Sequence, residues 1–356
     1  MSRKIKVKLG RFSGNIYIEE GHVVILGRSG AGKSNTAKVV IRELTKRGLP
    51  VLVIDWAGEY ELSNFTYVRP GDDFSLNVFE NANINDAENI DVTVDLFDAT
   101  FHLTAPQIYI LRVAVKNACA KGAKNLVDLL KAVEETPTRS FYDYETKMAL
   151  VRRLSPLAEG RVGRALSGRV NVGNILTDNI VIDLSLFKSV YAKRLFTLFL
   201  LKHIYDKAIS RGVSSRPIHA TLIEEFWNVA PYRRLDAEPS VGERMFFELR
   251  KYGEILIAVT QNPSEVAWGV ISNAEVIIVH AMLPKEAEVL GLHRLVPAEQ
   301  RQADICQFVM RLRKGEAIVI ERDRIFRVKV AHARNDGLCT RVKRLYLHSS
   351  RGSGLA

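Results

Sequence analysis

The chain has 356 residues, 47% hydrophobic and 26% charged, with a formal net charge of +11. That fits one large globular domain or two ordinary ones, with ample apolar material for a core. No run approaches the ~18 apolar residues of a membrane span, and Cys119, Cys306 and Cys339 form no C-x-x-C, so neither a zinc site nor a disulfide framework is indicated.

The start, Met1 to Gly10, alternates Lys or Arg with apolar residues and reads as a strand rather than a signal peptide. The cytosol is the expected compartment. Ile5 to Leu9 and Asn15 to Glu19 pattern as a hairpin around Arg11–Gly14. It leads directly into the next strand, so no separate N-terminal domain is expected.

His22 to Gly48 reads as a strand, a Gly-rich turn and a helix. Val23 to Leu26 are the apolar strand, and Ala37, Val40, Ile41 and Leu44 repeat at helical spacing until Gly48. The turn, Gly27-Arg28-Ser29-Gly30-Ala31-Gly32-Lys33-Ser34, is a complete G-x-x-x-x-G-K-[ST] phosphate-binding loop. Its glycines let successive N–H groups face a triphosphate, and the helix start after it adds a positive dipole end. Lys33 would charge-pair with the β- and γ-phosphates, and Ser34 would offer its hydroxyl to Mg²⁺. ATP and Mg²⁺ are the expected ligands, with Gly27 through Asn35 as the binding stretch.

Val51 to Ile54 form a buried strand ending in Asp55-Trp56-Ala57-Gly58-Glu59-Tyr60. Alternating strands and helices with apolar strand cores predict an α/β fold with a mainly parallel sheet covered on both faces. From about Ile84 to Gly173 the pattern turns helical. Thr104 caps a helix with Pro106 in its first turn that ends near Gly122. Leu126, Leu129, Leu130 and Val133 mark a second helix, and Met148, Leu150, Val151 and Leu154 a third. Arg161 to Arg169 reads as a Gly/Arg loop. The stretch from Arg152 to Arg169 carries a net charge of +4.

Strands return at Asn179 to Ser185, followed by a long amphipathic helix over about Lys188 to Ser210. His219 to Ile223, Ile255 to Thr260 and Val276 to His280 are further strands, and a last hairpin turns around Arg322–Arg324. The expected organisation is a sheet domain over 1–83 and 174–348, a helical insertion over 84–173 and a disordered tail over 349–356. Arg311 to Arg351 carries a net charge of +8. Clustered positive charge suggests a polyanion, most often nucleic acid.

Two carboxylates, Glu224 and Glu225, end the strand that begins at His219. In open α/β sheets that edge faces the ligand crevice. Glu224 would hold Mg²⁺, directly or through water, and Glu225 would orient and polarise the attacking water. The competing reading is an exposed acidic pair capping the next helix. Gln261, at the end of the next strand, would bond the γ-phosphate and the water. Arg244 and Arg250 are candidates for the charge that stabilises the transition state, in cis or from a neighbour. A salt-bridged helix surface is the alternative for both.

Taken together these residues resemble the HerA/FtsK superfamily of ring-shaped DNA-pumping ATPases, nearer the HerA side. The matching features begin with His22, Gly32-Lys-Ser-Asn35, Asp55-x-x-Gly-Glu-Tyr60 and Ile182-Asp-Leu-Ser185. They continue with Glu224-Glu225, Asn228-Val-Ala-Pro231, Arg250-Lys-Tyr-Gly253 and Thr260-Gln-Asn-Pro263. The resemblance implies a RecA-like sheet with a helical insertion, assembled as a homo-hexamer on double-stranded DNA. It places Glu225 on the catalytic acid, Gln261 on the γ-phosphate sensor and Arg250 on the Arg-Lys-aromatic-Gly position. A nuclease partner, or a packaging or conjugation partner, would follow. Two departures stand out. Double-strand-break HerA proteins carry an N-terminal β-barrel that is not expected here, and Phe226 and Trp227 replace the usual small residue and its neighbour.

The leading expectation is an ATP-driven translocase on duplex DNA. An ATPase powering protein secretion or pilus assembly is the second, and a nucleotide-dependent switch the third. The basic C-terminal region favours DNA, and Glu225 with Gln261 argues against a switch.

Overall fold

The computed structural model describes residues 5–10, 15–18, 21–79, 87–168, 175–234, 238–289, 307–321 and 324–333. The N-terminal hairpin forms as expected, β1 (Ile5–Lys8) pairing antiparallel with β2 (Asn15–Ile18). The main sheet takes β3 (Val23–Leu26), β4 (Val51–Asp55), β5 (Thr66–Val68), β6 (Ile180–Asp183) and β7 (His219–Ile223). β8 (Glu254–Thr260), β9 (Val276–Val279), β10 (Glu316–Glu321) and β11 (Arg324–Lys329) complete it. Among the described residues these nine strands lie in the order β11-β10-β9-β3-β8-β7-β4-β6-β5. Every pairing from β9 through β5 is parallel. β10 and β11 add an antiparallel edge.

Helices cover both faces. α1 (Lys33–Thr45) follows β3, and α2 (Ala87–Phe101), α3 (Ala105–Ala120), α4 (Leu126–Glu135), α5 (Phe141–Ala158) and α6 (Gly160–Ala165) run between β5 and β6. α7 (Val190–Arg211) precedes β7, and α8 (Val241–Leu249) precedes β8. Strand side chains alternate in direction, so each strand feeds two cores. Val24 and Leu26 join the core under α7 and the inserted helices. Val23 and Ile25 join the core under α1 and the hairpin.

Local chemistry sets the helix starts. Gln107 Oε1 accepts from the Thr104 amide at 3.0 Å, at the helix start that the sequence places on Thr104. Asn125 Oδ1 and Ser140 Oγ accept from the amides of Asp128 and Asp143 at 3.0 and 3.1 Å. Each satisfies a donor that has no partner within its helix.

Three expectations change. The Gly/Arg loop is a helix from Gly160 to Ala165, with Arg169 outside the described residues. A Cβ on Gly163 would lie 2.1 Å from Ala158 O. The glycine that suggested a loop is what lets α6 fold tightly against the end of α5. Its arginines bond back to the turn after β5: Arg161 pairs with Asp72, and Arg164 Nε donates to Gly71 O at 2.8 Å. Second, α7 is covered on every side in its middle, where each residue from Leu195 to Lys202 is buried, and keeps an exposed face only toward its ends. It lies between the sheet and the insertion, with Phe196 and Phe199 edge-on to Phe74 and Phe97. A helix covered on all sides has no polar stripe. Third, β5 is a parallel strand that the sequence did not announce, since three residues carry no readable period. The tail from 349 lies outside the described residues. No helix among the described residues is long and apolar enough to cross a membrane.

Candidate nucleotide-binding site

The C-terminal ends of β3, β4, β7 and β8 share one edge of the sheet, as parallel strands must. From there the chain departs to opposite sides. The buried residues of α1 join the hairpin-side core, whereas Phe226, just past β7, joins the other. This divergence opens a crevice at the strand ends. It holds a cavity of about 890 Å³ lined by Gly30, Lys33, Ser34, Glu59, Glu225 and Gln261, among others.

The phosphate loop is framed from outside. Gly27 has a φ of +146°, and a Cβ there would stand 2.6 Å from the Cβ of His280. Only glycine lets the loop pass the end of β9 so closely. His280 Nδ1 donates to Glu316 O at 2.9 Å, which leaves Nε2 to accept from Thr36 Oγ1 at 2.8 Å. Burial pushes its pKa down to about 4, so the imidazole stays neutral. Gly315 N donates to Ala31 O at 3.0 Å. Asn35 Nδ2 donates to Ala331 O at 2.9 Å, and Asn35 Oδ1 accepts from Ala333 N at 2.8 Å. Asn35 closes the expected binding stretch, yet its carboxamide is committed to the C-terminal segment.

Lys33 opens α1, and its Nζ donates to Arg28 O at 3.2 Å. Burial lowers its pKa, opposed by the nearby carboxylates of Glu225, Glu224 and Glu59. Asp55 Oδ1 accepts from the amides of Ala57, Gly58 and Glu59, and Oδ2 from that of Tyr60. Those four bonds fold the turn that carries Glu59. Ser34 Oγ then donates to Glu59 Oε2 at 2.9 Å. Glu59 is therefore the carboxylate that meets Ser34, the serine expected to hold Mg²⁺. The Asp55-x-x-Gly-Glu59 spacing was the signal available for it.

Glu224 and Glu225 both line the cavity. Glu224 is only 7% exposed, so the pair is not a solvent-facing cap. Burial, then the charges of Asp55 and Glu59, push its pKa up to about 8. Glu225 takes a left-handed backbone at φ +48°. Its Oε1 accepts from Gln261 Nε2 and its Oε2 from Trp227 Nε1, both at 2.8 Å. The structure thus joins Glu225 to Gln261 and adds Trp227, a donor that sequence reasoning did not assign.

Arg250 lies elsewhere. It begins a short 3₁₀ turn just before β8, while Gln261 follows that strand's far end. Seven strand residues at about 3.3 Å each put it roughly 20 Å or more from its own cavity. Arg244 is salt-bridged to Asp95 at 2.9 Å. Both basic clusters are partly paired: Arg327 meets Glu316 at 2.7 Å, Arg324 meets Glu321, and Arg322 lies outside the described residues.

The donor set fits a magnesium nucleotide. Backbone glycines at positive φ, a half-buried lysine at a helix start and a serine beside carboxylates converge on one cavity.

The comparisons with known proteins agree with this geometry. The model of the family described as helicase HerA, central domain, matches residues 16–204. A DNA double-strand break repair helicase HerA from Sulfolobus acidocaldarius is 24% identical over 317 residues, covering 84% of this chain and 62% of that protein. A probable helicase from Methanocaldococcus jannaschii is also 24% identical, with 60% of its length covered. The chain thus spans about three fifths of these relatives. Among solved structures, VirB4 of Thermoanaerobacter pseudethanolicus superposes with a TM-score of 0.70 at 19% identity, covering 92% of this chain and 96% of that one. The bacterial conjugative coupling protein TrwB gives 0.67 at 13% identity, covering 94% and 92%. These likenesses establish the expected RecA-like α/β fold. The family model spans more than half of the 356 residues, and the chain belongs to the family of the HerA helicase central domain.

Proposed function

We propose that this chain binds MgATP at the phosphate loop, hydrolyses it, and uses the cycle to translocate double-stranded DNA as a hexameric ring. The observation that carries hydrolysis is the Glu225–Gln261 hydrogen bond at the rim of the phosphate cavity. A carboxylate beside an amide can hold one water between them and accept its proton as it attacks. Lys33 supplies positive charge to the transferring phosphoryl group. When bound, Mg²⁺ would neutralise phosphate charge, with Ser34, Glu59 and Glu224 as its direct or water-mediated holders. Arg250 is far from its own cavity and is assigned to a neighbour's site. DNA as the track is supported by the similarity to the repair helicase HerA and by the net charge of +11. The sheet with its inserted helices is proposed as one ATPase unit.

The test is the ATPase rate with and without linear duplex DNA, followed by particle mass. Stimulation by DNA in a six-subunit particle is expected. Turnover indifferent to DNA would favour the secretion or pilus motor instead. A fully active monomer would overturn the ring.

A further inference from the structure

Glu225 stands on a backbone that side chains other than glycine rarely adopt, with φ +48° and ψ +47°. Such a residue persists only where its surroundings hold it, and here the support forms a closed circuit. Trp227 Nε1 donates to Glu225 Oε2 at 2.8 Å. The Arg194 guanidinium lies over the Trp227 ring, 5.9 Å from its centroid. Arg194 Nη2 donates to Asn228 Oδ1 at 3.1 Å. Asn228 Nδ2 returns to the Glu225 carbonyl oxygen at 3.1 Å. The residue is thereby gripped at both its carboxylate and its backbone, and tied to the start of α7.

The indole is suited to this task. Its N–H is a donor only and cannot compete for the proton that Glu225 would accept. Its flat ring is half-buried and clamped by a cation, so little rotational freedom remains to be lost. Each carboxylate oxygen keeps a second lone pair after its bond to Gln261 or Trp227. A water can therefore still be bound.

We propose that Trp227 is a positioning residue for Glu225, its indole N–H fixing the carboxylate against Gln261 so that it faces the attacking water. This rests on the reading of Glu225 as the group that polarises that water. Trp227 itself is not among the residues that line the cavity. Losing its N–H should affect turnover and leave nucleotide binding alone.

The experiment compares Trp227→Phe, Trp227→His and Glu225→Gln in the full chain, measuring ATP affinity by titration and kcat and KM by steady-state hydrolysis. Trp227→Phe keeps a ring for Arg194 to cover but removes the donor. Its kcat should fall about ten- to hundredfold, the worth of a hydrogen bond to a charged group. ATP affinity should stay within about twofold, and matching affinity also reports an intact fold. Trp227→His restores a ring N–H and should recover part of the lost kcat. Full activity in Trp227→Phe beside an inactive Glu225→Gln would overturn the positioning role and leave the Glu225 reading standing. Equal losses in Trp227→Phe and Trp227→His would assign the effect to ring packing and overturn it too. Near-normal turnover in Glu225→Gln would remove the Glu225 reading, and this inference with it.

Discussion

Ser34 Oγ donates to Glu59 Oε2 across 2.9 Å, joining the first turn of α1 to the turn after β4. The contact gives the hydroxyl proposed to hold Mg²⁺ a carboxylate partner from 25 residues away. Glu59 is held there by the turn folded on Asp55, whose carboxylate accepts four backbone amides.

Glu59→Gln should therefore weaken the metal rather than the nucleotide. The Mg²⁺ concentration for half-maximal ATP turnover should rise about tenfold, within the usual range for partners of metal ligands. Binding of ATP measured without Mg²⁺ should be unchanged or tighter, since a negative charge beside the phosphates is gone. A wild-type Mg²⁺ requirement would remove Glu59 from the metal site.

Glu224 makes a prediction about stability. A free glutamate ionises near pH 4.5, whereas burial and the neighbouring carboxylates push Glu224 up to about 8. Between those values the folded chain keeps a proton that the unfolded chain has released. Its stability contribution is full below about 4.5 and is lost as pH rises toward 8. Glu224→Gln removes that loss. Without nucleotide or metal, the variant should melt several degrees above wild type at pH 9 and close to it at pH 4.5. An equal margin at both would contradict the buried acid.

Much of this site can be read from the sequence, and the reason is local. A triphosphate needs glycines, a lysine and a serine at fixed spacing, so Gly27 to Ser34 announce themselves. Glu224, Glu225 and Gln261 each follow an apolar strand, and parallel strands deliver such residues to one edge. Other contacts depend on chain paths that spacing does not encode. Glu59 reaches Ser34 only because of where the Asp55 turn packs. Trp227 finds Glu225 through the left-handed backbone of Glu225 itself. α7 reads as amphipathic because its ends keep an exposed face, and spacing does not show that Leu195 to Lys202 are covered on every side. α6 was hidden by the glycines that permit its tight packing.

Arg250 tests assembly. It stands on the opposite side of the sheet from the loop of its own chain. Any role in catalysis must then be exercised on a neighbour. Arg250→Ala should keep ATP binding and the proposed ring, yet lose on the order of 10³-fold in turnover, the scale of finger contributions. Lys33→Ala should lose tight ATP binding instead. Mixed rings of the two variants contain some sites with an intact loop and an intact neighbouring Arg250, and partial activity should return. No recovery despite proven mixing would count against the trans role.

Glu225 is proposed to serve hydrolysis and not binding. Its most direct measurement is single-turnover cleavage of ATP by wild type and Glu225→Gln, with Mg²⁺ and linear duplex DNA present and affinity measured in parallel. Equal ATP affinity is expected, with a fall of at least about 10²-fold in the cleavage rate, the contribution of a positioned proton acceptor. Cleavage by Glu225→Gln at a rate near wild type would contradict it.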